Sequence, residues 1–337
     1  MTKANDLAAL PNSPLSFRNK IINGAMEIDQ RRGGALVNPA VAGNYYLDRW
    51  YYNASQASKF SVGLNAGSVT PPPGFVSYLG YTSLSAYAVT ATDTFYFSQR
   101  IEGINTIDLA FGSASAKTIT ISFWVRSSLT GTFGGNIGNS AGNRTYVFSF
   151  AINAANTWEY KTVTIPGDTT GTWLKDTGIG LELRINLGSG ANYSGASGSW
   201  GTSNLVAPTG AVSVVGTNGA TFYITGVQLE VGPGATSFER RPYGAELALC
   251  QRYFAASVYT EYHFCAAPGA TYLSTYRVDM PVQMRANPSI SVNYSASNAI
   301  GTYGWYTNNQ NFSVHYITAS VATNAYMYFS WTTSAEL

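Results

Sequence analysis

A short segment of the C-terminal third gathers aromatic rings and side-chain amides within residues 301–311. This segment, which the pattern predicts to be turn-like, reads GTYGWYTNNQN and contains Tyr303, Trp305, Tyr306 and Asn308. Flat aromatic faces can stack on the C–H faces of sugar rings, and carboxamides offer sugar hydroxyls both a donor and an acceptor. The chemistry of this pattern is therefore non-covalent carbohydrate binding. The alternative is that the rings pack one subunit against another, because aromatic side chains are enriched at protein interfaces.

A second candidate lies on the Gly- and Ser-rich segment 188–220, which carries Tyr193 and Trp200. A segment this long without a strand or helix pattern is typical of a lid, a binding loop or a contact surface. The same two interpretations apply here. The rings bind a sugar, or they cap the fold and fill an interface.

Catalysis is not expected from the residues present. Glycoside hydrolysis requires two carboxylates placed across a cleft, and no pair among the scattered acidic residues is distinguished by its context. The two histidines lack a triad-like context, and the Gly-rich stretches lack the Gly-Lys-Ser/Thr ending of a phosphate-binding loop. A polysaccharide depolymerase, which would usually have a larger, repeat-built body, is the least favoured alternative.

The composition excludes other classes of function. Charged residues make up 11% of the chain and the net charge is +2, whereas ordinary domains carry roughly 25% charged residues. We therefore expect no nucleic-acid partner, and the arginine pairs at 31–32 and 240–241 are too sparse to change this expectation. The chain has no run near the roughly 20 apolar residues of a membrane span and no signal-peptide pattern, so we expect no membrane insertion.

The two cysteines, Cys250 and Cys265, are too few for a disulfide framework. Together with two histidines they also make a poor zinc set. A single bridge between them stays open as an alternative, because the sequence does not supply the distance between their Cα atoms.

Alternating apolar residues predict an all-β chain. The alternation is clear in residues 118–126, 158–165, 180–187 and 221–231, and Gly, Pro, Asn and Ser turns separate these segments. Short strands at this spacing are typical of a β-sandwich or a barrel. After residue 16, the one helix-like run is 245–253, which the pattern allows as a short helix or an extended connector.

The pattern divides the chain into three parts. Residues 1–16 form an arm interrupted by prolines, residues 17–242 a first β-domain, and residues 243–337 a smaller C-terminal β-domain. Charge is concentrated at the boundary, in Glu239-Arg240-Arg241. The backbone at this joint would face solvent or be clamped by ion pairs, and in a trimer the arginines would also bind carboxylates of a neighbouring subunit. Asp48-Arg49-Trp50 is interpreted as a structural corner.

Three segments carry a resemblance to a known family. Residues 17–31 (FRNKIINGAMEIDQR) with 46–50 (YLDRW), residues 224–242 (ITGVQLEVGPGATSFERRP) and residues 280–288 (MPVQMRANP) resemble parts of bacteriophage tail-fibre and related virion appendage proteins. The resemblance implies a homotrimeric virion protein, made in the cytoplasm of a bacterial host. Its N-terminal arm would bind other virion proteins, and its body would attach to a glycan of the host surface.

The first domain also resembles the jelly-roll carbohydrate-binding modules of polysaccharide-degrading enzymes. This resemblance implies a jelly-roll sandwich and a calcium motif, which here reads Asn23-Gly-Ala-Met-Glu27. Calcium takes six to eight oxygen ligands, whereas Glu27 is the one carboxylate of the motif and the final strand, 223–227, has no Asp. We therefore expect no cofactor, with calcium at Glu27 as the less favoured alternative.

Together these observations favour a non-enzymatic virion protein that contributes to host attachment. The candidate glycan-binding residues are Tyr193, Trp200, Tyr303, Trp305, Tyr306 and Asn308. The alternative is a purely architectural fibre, collar or capsid decoration protein whose aromatic residues make subunit contacts.

Overall fold

The computed structural model describes residues 17–257, 260–266, 273–298, 300–318 and 324–337. The chain separates into two compact units. The first contains the residues up to Asp29 and Gly34–Pro242, and the second contains Gln30–Gly33 and Tyr243–Leu337. The sequence pattern gives no sign that residues 30–33 belong with the second unit. The predicted arm, residues 1–16, lies outside the described residues.

The first unit is a sandwich of two antiparallel sheets. Its strands, in chain order, are β1 (Asn44–Leu47), β2 (Trp50–Ala54), β3 (Phe60–Leu64), β4 (Leu79–Ser83), β5 (Thr94–Glu102), β6 (Ile119–Ser127), β7 (Gly131–Gly138), β8 (Thr145–Ile152), β9 (Glu159–Ile165), β10 (Ile179–Ser189), β11 (Ser194–Gly195), β12 (Trp200–Gly201), β13 (Ala207–Pro208) and β14 (Thr221–Val231). One sheet has the order β1-β2-β5-β10-β7-β8-β12, and the other has the order β3-β4-β14-β6-β9. The short strands β11 and β13 pair with each other in parallel. Three 3-10 turns lie at Gly103–Asn105, Ile107–Leu109 and Ala191–Tyr193.

The connectivity of the sandwich is that of a jelly roll. Eight strands form its body: β4 to β10, counted as 1 to 7 along the chain, and β14, counted as 8. In this count, one sheet has the order 1-8-3-6 and the other has the order 2-7-4-5. This is the double Greek key of a jelly roll. The predicted all-β, jelly-roll class is confirmed, and of the two architectures that the strand pattern allowed, the sandwich is the one formed.

The alternation read from the sequence explains the core. Ile119, Ile121, Phe123 and Val125 of β6 are all fully buried, because every second side chain of a strand points to the same face. The facing sheet contributes large side chains that are equally buried, among them Phe95, Phe97, Phe133, Leu183 and Ile185. Burial of this many large apolar groups is the main stabilising term of the unit.

The second unit is a smaller all-β body that opens with a helix. Its elements are α1 (Tyr243–Gln251), β15 (Phe254–Ala256), β16 (Glu261–Ala266), β17 (Leu273–Asp279), β18 (Ser289–Asn298), β19 (Ile300–Thr307), β20 (Asn311–Thr318) and β21 (Asn324–Ser334). Strand β21 pairs with β15, β16 and β18, and β20 lies between β17 and β19. Rings from the two sheets meet in the core, where the Phe312 and Trp331 centroids lie 5.4 Å apart. The C-terminal part is thus a second, smaller sandwich, as predicted.

The helix-like run of the sequence is a helix, α1, since Ala, Glu and Leu are strong helix formers. None of the helices described is both long and apolar enough to cross a membrane. Cys250 is buried on α1. The side chain of Cys265 lies outside the described residues, so the bridge between the two cysteines stays an open alternative.

Two local predictions need correction. Residues 301–311 were predicted to be turn-like, whereas residues up to 307 form β19 and the turn itself comprises 308–310. Strand β19 is defined by its pairing with β20, in which Trp305 is opposite Val314 and Thr307 is opposite Phe312. Segment 188–220, predicted to be structureless, contains β11, β12 and β13, which are too short for an alternation signal.

Candidate functional site

Polar and aromatic side chains follow one another across the outer face of the seven-stranded sheet. In the pairing register, Tyr45 is opposite Tyr51, and Tyr51 is opposite Ser98. Ser98 is in turn opposite Arg184, and Arg184 is opposite Asn136. Directly paired residues share a face of the sheet, and the alternate residues of these strands fill the core. This ladder therefore runs across five neighbouring strands on the side away from the core.

Two parallel ladders widen this face. Tyr96 stands between Asn53 and Asn186, and Glu182 is opposite Arg100. We name the following six residues the tyrosine–arginine face: Tyr45, Tyr51, Tyr96, Arg100, Glu182 and Arg184.

A charge network occupies the centre of the face. The Glu182 carboxylate accepts hydrogen bonds from Arg184 Nε at 3.0 Å and Nη2 at 2.7 Å. It also accepts from Ser98 Oγ at 2.8 Å and Arg100 Nε at 3.3 Å. The Glu182 side chain is only 7% exposed, against 22% for Arg100 and 13% for Arg184. Glu182 is thus the buried anchor of two guanidinium groups that reach the surface.

The tyrosine rings flank these guanidinium groups. Arg100 lies over the Tyr51 ring at 4.5 Å from its centroid, and Arg184 lies over the Tyr96 ring at 5.1 Å. The Tyr45 and Tyr51 rings are 5.2 Å apart. Cation–π contacts of this kind restrict both partners. The three rings are half-buried, so each is held in place while part of it stays accessible to a ligand.

The electrostatics hold the network in its charged form. Burial alone would raise the pKa of Glu182, but the guanidinium groups of Arg184 and Arg100 outweigh burial and keep this pKa below its ordinary value. Burial would lower the pKa of each arginine, and Glu182 raises both above the usual value. The carboxylate is therefore ionised and fully paired at neutral pH, which suits the positioning of ligands and not proton transfer.

A loop closes one side of the tyrosine–arginine face. We name residues 203–208 the loop wall. Two hydrogen bonds hold this loop on the outer face: Thr145 Oγ1 donates to the Ser203 carbonyl at 2.6 Å, and Arg184 Nη1 donates to Asn204 Oδ1 at 2.8 Å. Pro208 also packs on Gly134. A Cβ atom at Gly134 would lie 2.6 Å from Pro208, so the glycine allows the loop to lie directly on the sheet.

The first predicted pair of ligand-binding residues, Tyr193 and Trp200, lies outside the tyrosine–arginine face. Tyr193 is half-buried in a 3-10 turn after β10. The Trp200 indole donates to the Pro166 carbonyl at 2.7 Å, and its ring packs on Phe111 and Trp173, each 5.6 Å away. The surroundings of Trp200 correspond to the alternative interpretation, a ring that caps the sandwich.

The second predicted cluster does not form one platform. Trp305 and Tyr306 are 41% and 76% exposed, but as neighbours on β19 they point to opposite faces of the sheet. The Asn308 carboxamide accepts from the backbone N–H groups of residues 310 and 311 at 2.8 and 3.0 Å, so it shapes the hairpin turn. The side chain of Tyr303 lies outside the described residues.

The calcium motif is used for hydrogen bonds and an ion pair. The Asn23 side chain bonds to four backbone groups of neighbouring segments, including the Ile28 and Asp48 carbonyls. Glu27 lies 3.2 Å from Arg240 Nη1. Within the described residues, no three His, Cys, Asp or Glu side chains converge as a metal site would require. The residues present therefore fit a calcium ion poorly.

The charged boundary segment clamps the start of the first unit. Glu239 accepts from the backbone N–H groups of residues 17, 18 and 19 at 2.6, 3.3 and 2.8 Å. Arg241 bonds to the carbonyls of Asn19 and Ile21, and Arg240 to Glu27 and the Gly74 carbonyl. The predicted clamp is seen, but hydrogen bonds to backbone groups form most of it, and ion pairs contribute at Arg240–Glu27 and Arg241–Glu239. The arginines have partners in their own chain, so the structure gives no support for their binding a neighbouring subunit.

The predicted structural corner is buried as a whole. Asp48 and Trp50 are 0% exposed and Arg49 is 1% exposed. Trp50 donates from its indole to the Asn23 carbonyl at 3.0 Å, and Arg49 donates to the Arg100 carbonyl. These side chains connect backbone segments and present no surface to a ligand.

The second unit carries a separate aromatic surface. On the outer side of its larger sheet, Tyr262 pairs with Tyr328 and Phe264 with Tyr326. Three of these residues, Tyr262, Phe264 and Tyr328, are 49%, 48% and 38% exposed. We name this set of four residues the aromatic sheet face.

Sequence reasoning missed both of these surfaces. The signal was present in the outward half of each alternation, such as the series from Tyr96 through Ser98 to Arg100 on β5. The apolar residues of each alternation identify the core, whereas the polar residues between them mark the outer face of the sheet. Which outward residues lie side by side depends on strand order and register, and these are set by pairings between segments far apart in sequence.

No family model matches the chain, and no curated protein matches it in sequence. Among solved structures it is similar to the enzymatically active domain of tailspike protein 4 of bacteriophage CBA120, with 12% identity and a TM-score of 0.35 over 64% of this chain and 22% of that chain. It is also similar to TmCBM61, solved in complex with β-1,4-galactotriose, with 10% identity and a TM-score of 0.34 over 64% of this chain and 100% of that chain. A third similar structure is the CBM22-1 xylan-binding domain of Xyn10C from Paenibacillus barcinonensis, with 11% identity and a TM-score of 0.28 over 60% of this chain and 99% of that chain. The chain spans less than a quarter of the tailspike chain, and the named sugars are ligands of those proteins. The structural neighbours of this chain thus include carbohydrate-binding modules and a phage tailspike domain, all at low identity.

Proposed function

We propose that the chain is a non-catalytic carbohydrate-binding protein and that the tyrosine–arginine face holds the glycan. The observation that carries this proposal is the arrangement of three half-buried tyrosine rings around two surface-reaching arginines that the buried Glu182 anchors on one sheet face. Rings supply stacking surfaces, while guanidinium, amide and hydroxyl groups supply directional bonds to sugar hydroxyls.

The rigidity of the face supports this function. Its side chains project from strands of a packed sandwich, and Glu182 fixes both arginines by hydrogen bonds. A ligand therefore meets groups whose conformational freedom was lost on folding, so less entropy is lost on binding. The paired, ionised state of Glu182 and the scattered positions of the other carboxylates support the absence of catalysis.

We further propose that the protein serves in a bacteriophage virion as a tail fibre or other appendage that attaches the particle to a glycan of the host surface. The support is the resemblance of residues 17–31, 224–242 and 280–288 to such proteins. The same proposal includes a homotrimer, docking of residues 1–16 to other virion proteins, and synthesis in the cytoplasm of the bacterial host.

The second candidate function is architectural. The aromatic sheet face of the second unit exposes Tyr262, Phe264 and Tyr328 side by side, and clustered exposed apolar rings are typical of protein–protein interfaces. In this alternative the rings bind a neighbouring subunit of a fibre or collar.

The test is binding of the purified full-length chain to an array of bacterial surface polysaccharides and their oligosaccharides. We expect at least one glycan to be bound. Replacing Tyr51 and Tyr96 together by Ala should weaken that binding by tenfold or more, because each substitution removes a ring on which a sugar can stack.

The matched control is Tyr160→Ala, which removes a tyrosine that is 44% exposed on the other sheet. It should leave binding unchanged, and circular dichroism should show that all variants are folded. Binding of no glycan, or equal binding by the double variant and the wild type, would overturn the proposal. Light scattering on the same proteins would favour the architectural alternative if a stable oligomer forms without glycan binding.

A further inference from the structure

The loop wall bounds the tyrosine–arginine face on one side. The ladder passes from Tyr45 through Tyr51 and Ser98 to Arg184, and Ser98 itself is 0% exposed, so the accessible surface of the ladder is that of Tyr45, Tyr51 and Arg184. Beyond Arg184 the loop wall lies on the outer face, where Ser203 bonds to Thr145 and Asn204 bonds to Arg184. A chain of sugar rings laid across the strands from Tyr45 would therefore meet the loop wall.

The available length is short. Tyr45 and Arg184 are separated by three strand spacings of about 4.8 Å, or about 14 Å, which accommodates about two or three sugar rings. A face used for the middle of a polysaccharide would instead need both ends open. The geometry therefore suits the end of a glycan chain.

An independent observation lies at the blocked end. Asn136 is opposite Arg184 on the outer face and is 1% exposed. Neither its Nδ2 nor its Oδ1 has a hydrogen-bond partner among the described residues. A buried amide with both atoms unpaired costs free energy, and such groups require an explanation. A sugar hydroxyl, which both donates and accepts, would satisfy the donor and the acceptor of this amide.

We infer that the tyrosine–arginine face recognises the terminal residues of an oligosaccharide, with the chain end held at Arg184, Asn204 and Asn136 against the loop wall. This inference rests on the proposed function and specifies which part of a glycan is bound. The inner rings of the ligand would lie over Tyr51 and Tyr45 and lead away from the protein.

The test uses the glycan that binds most tightly on the array, as a series of oligosaccharides of one to six units and as the polymer, in calorimetric titrations of the full-length chain. Terminal recognition predicts that affinity per molecule stops rising at about three units. On a linear polymer, the number of bound proteins should equal the number of chains, because each chain has one end of the recognised kind. If affinity keeps rising to six units and the stoichiometry follows the number of sugar units, the inference is wrong while the proposed function stands. If no oligosaccharide and no polymer binds, the proposed function itself fails.

Asn136→Leu provides the second measurement. The substitution keeps the size of the side chain and removes both polar atoms, so we expect about a tenfold loss of affinity with no loss of thermal stability. Unchanged affinity in Asn136→Leu would contradict a role of Asn136 in the site. Asn153→Leu, at an exposed amide after β8, is the control and should bind as the wild type does.

Discussion

The charge network of the tyrosine–arginine face gives a quantitative prediction. In Glu182→Gln the side chain keeps its shape but loses its charge, and the two guanidinium groups lose their common anion. Removing one member of a buried ion pair typically costs about 3–5 kcal/mol, because the remaining charge stays buried. Arg100 and Arg184 are 22% and 13% exposed, so water compensates in part, and we expect a loss of about 2–3 kcal/mol in the free energy of unfolding at pH 7.

The assay is urea unfolding of the full-length chain followed by tryptophan fluorescence. Five of the seven tryptophans lie in the first unit, at positions 50, 124, 158, 173 and 200, so the signal reports mainly on that unit. The control is Asp108→Asn, which breaks the pair between Lys20 and an aspartate whose side chain is 48% exposed. A surface pair contributes less than about 1 kcal/mol.

The pH dependence makes this prediction sharper. The pKa of Glu182 is lower in the folded protein than in the unfolded chain, where it is about 4.3. The stabilisation is therefore complete above that unfolded value and is lost as the pH falls through it toward the folded pKa. The difference between wild type and Glu182→Gln should narrow as the pH is lowered from about 5 to 3. A difference that stays constant over this range, or equal losses in Glu182→Gln and Asp108→Asn, would refute the reasoning.

Two further predictions concern carboxylates that bind backbone or hydroxyl donors. Glu239→Gln should lower the free energy of unfolding by about 2 kcal/mol, because the charge-assisted bonds from the N–H groups of residues 17–19 are weakened. Hydrogen exchange should become faster at those three amides, and unchanged exchange would contradict the clamp. Asp93→Asn should cost a similar amount at pH 7, because burial would raise the pKa of Asp93 but bonds from Ser55, Thr90 and Tyr87 hold it well below its usual value. That stabilisation is complete above the unfolded pKa of about 3.9 and declines as the pH falls below it toward the folded pKa. The difference between the two proteins in urea melts should therefore be smaller at pH 3 than at pH 7, and an unchanged difference at pH 3 would count against this account.

Much of the fold could be predicted from the sequence, and the reason is local. Each long strand of the core follows a period of two, as in β6 with Ile119 and Ile121, and this period is a property of neighbouring residues. The helix α1 also follows from local propensity. The short strands β11 to β13 could not be predicted, because two residues carry no period and their pairing depends on the sheet beneath them.

The candidate site could not be predicted in the same way. Tyr45, Arg100 and Glu182 lie on three strands and become neighbours only through the jelly-roll order of those strands. Trp200 shows the opposite case. Its position on a Gly- and Ser-rich segment suggested an exposed ring, whereas β12 returns to the edge of β8 and places the ring against Phe111 and Trp173.

The clamp at Glu239 has a consequence for the order in which the protein is made. Residues 17–19 are held by a side chain that lies more than 200 positions later in the chain, and β14, the strand before it, lies inside its sheet between β4 and β6. During synthesis, the first unit therefore cannot complete either its sheet or its N-terminal clamp until almost all of its residues have left the ribosome. Contacts of such long sequence separation slow folding. The nascent chain would thus expose strand edges for most of its synthesis, and its low charge leaves little repulsion to keep neighbouring chains apart during that time.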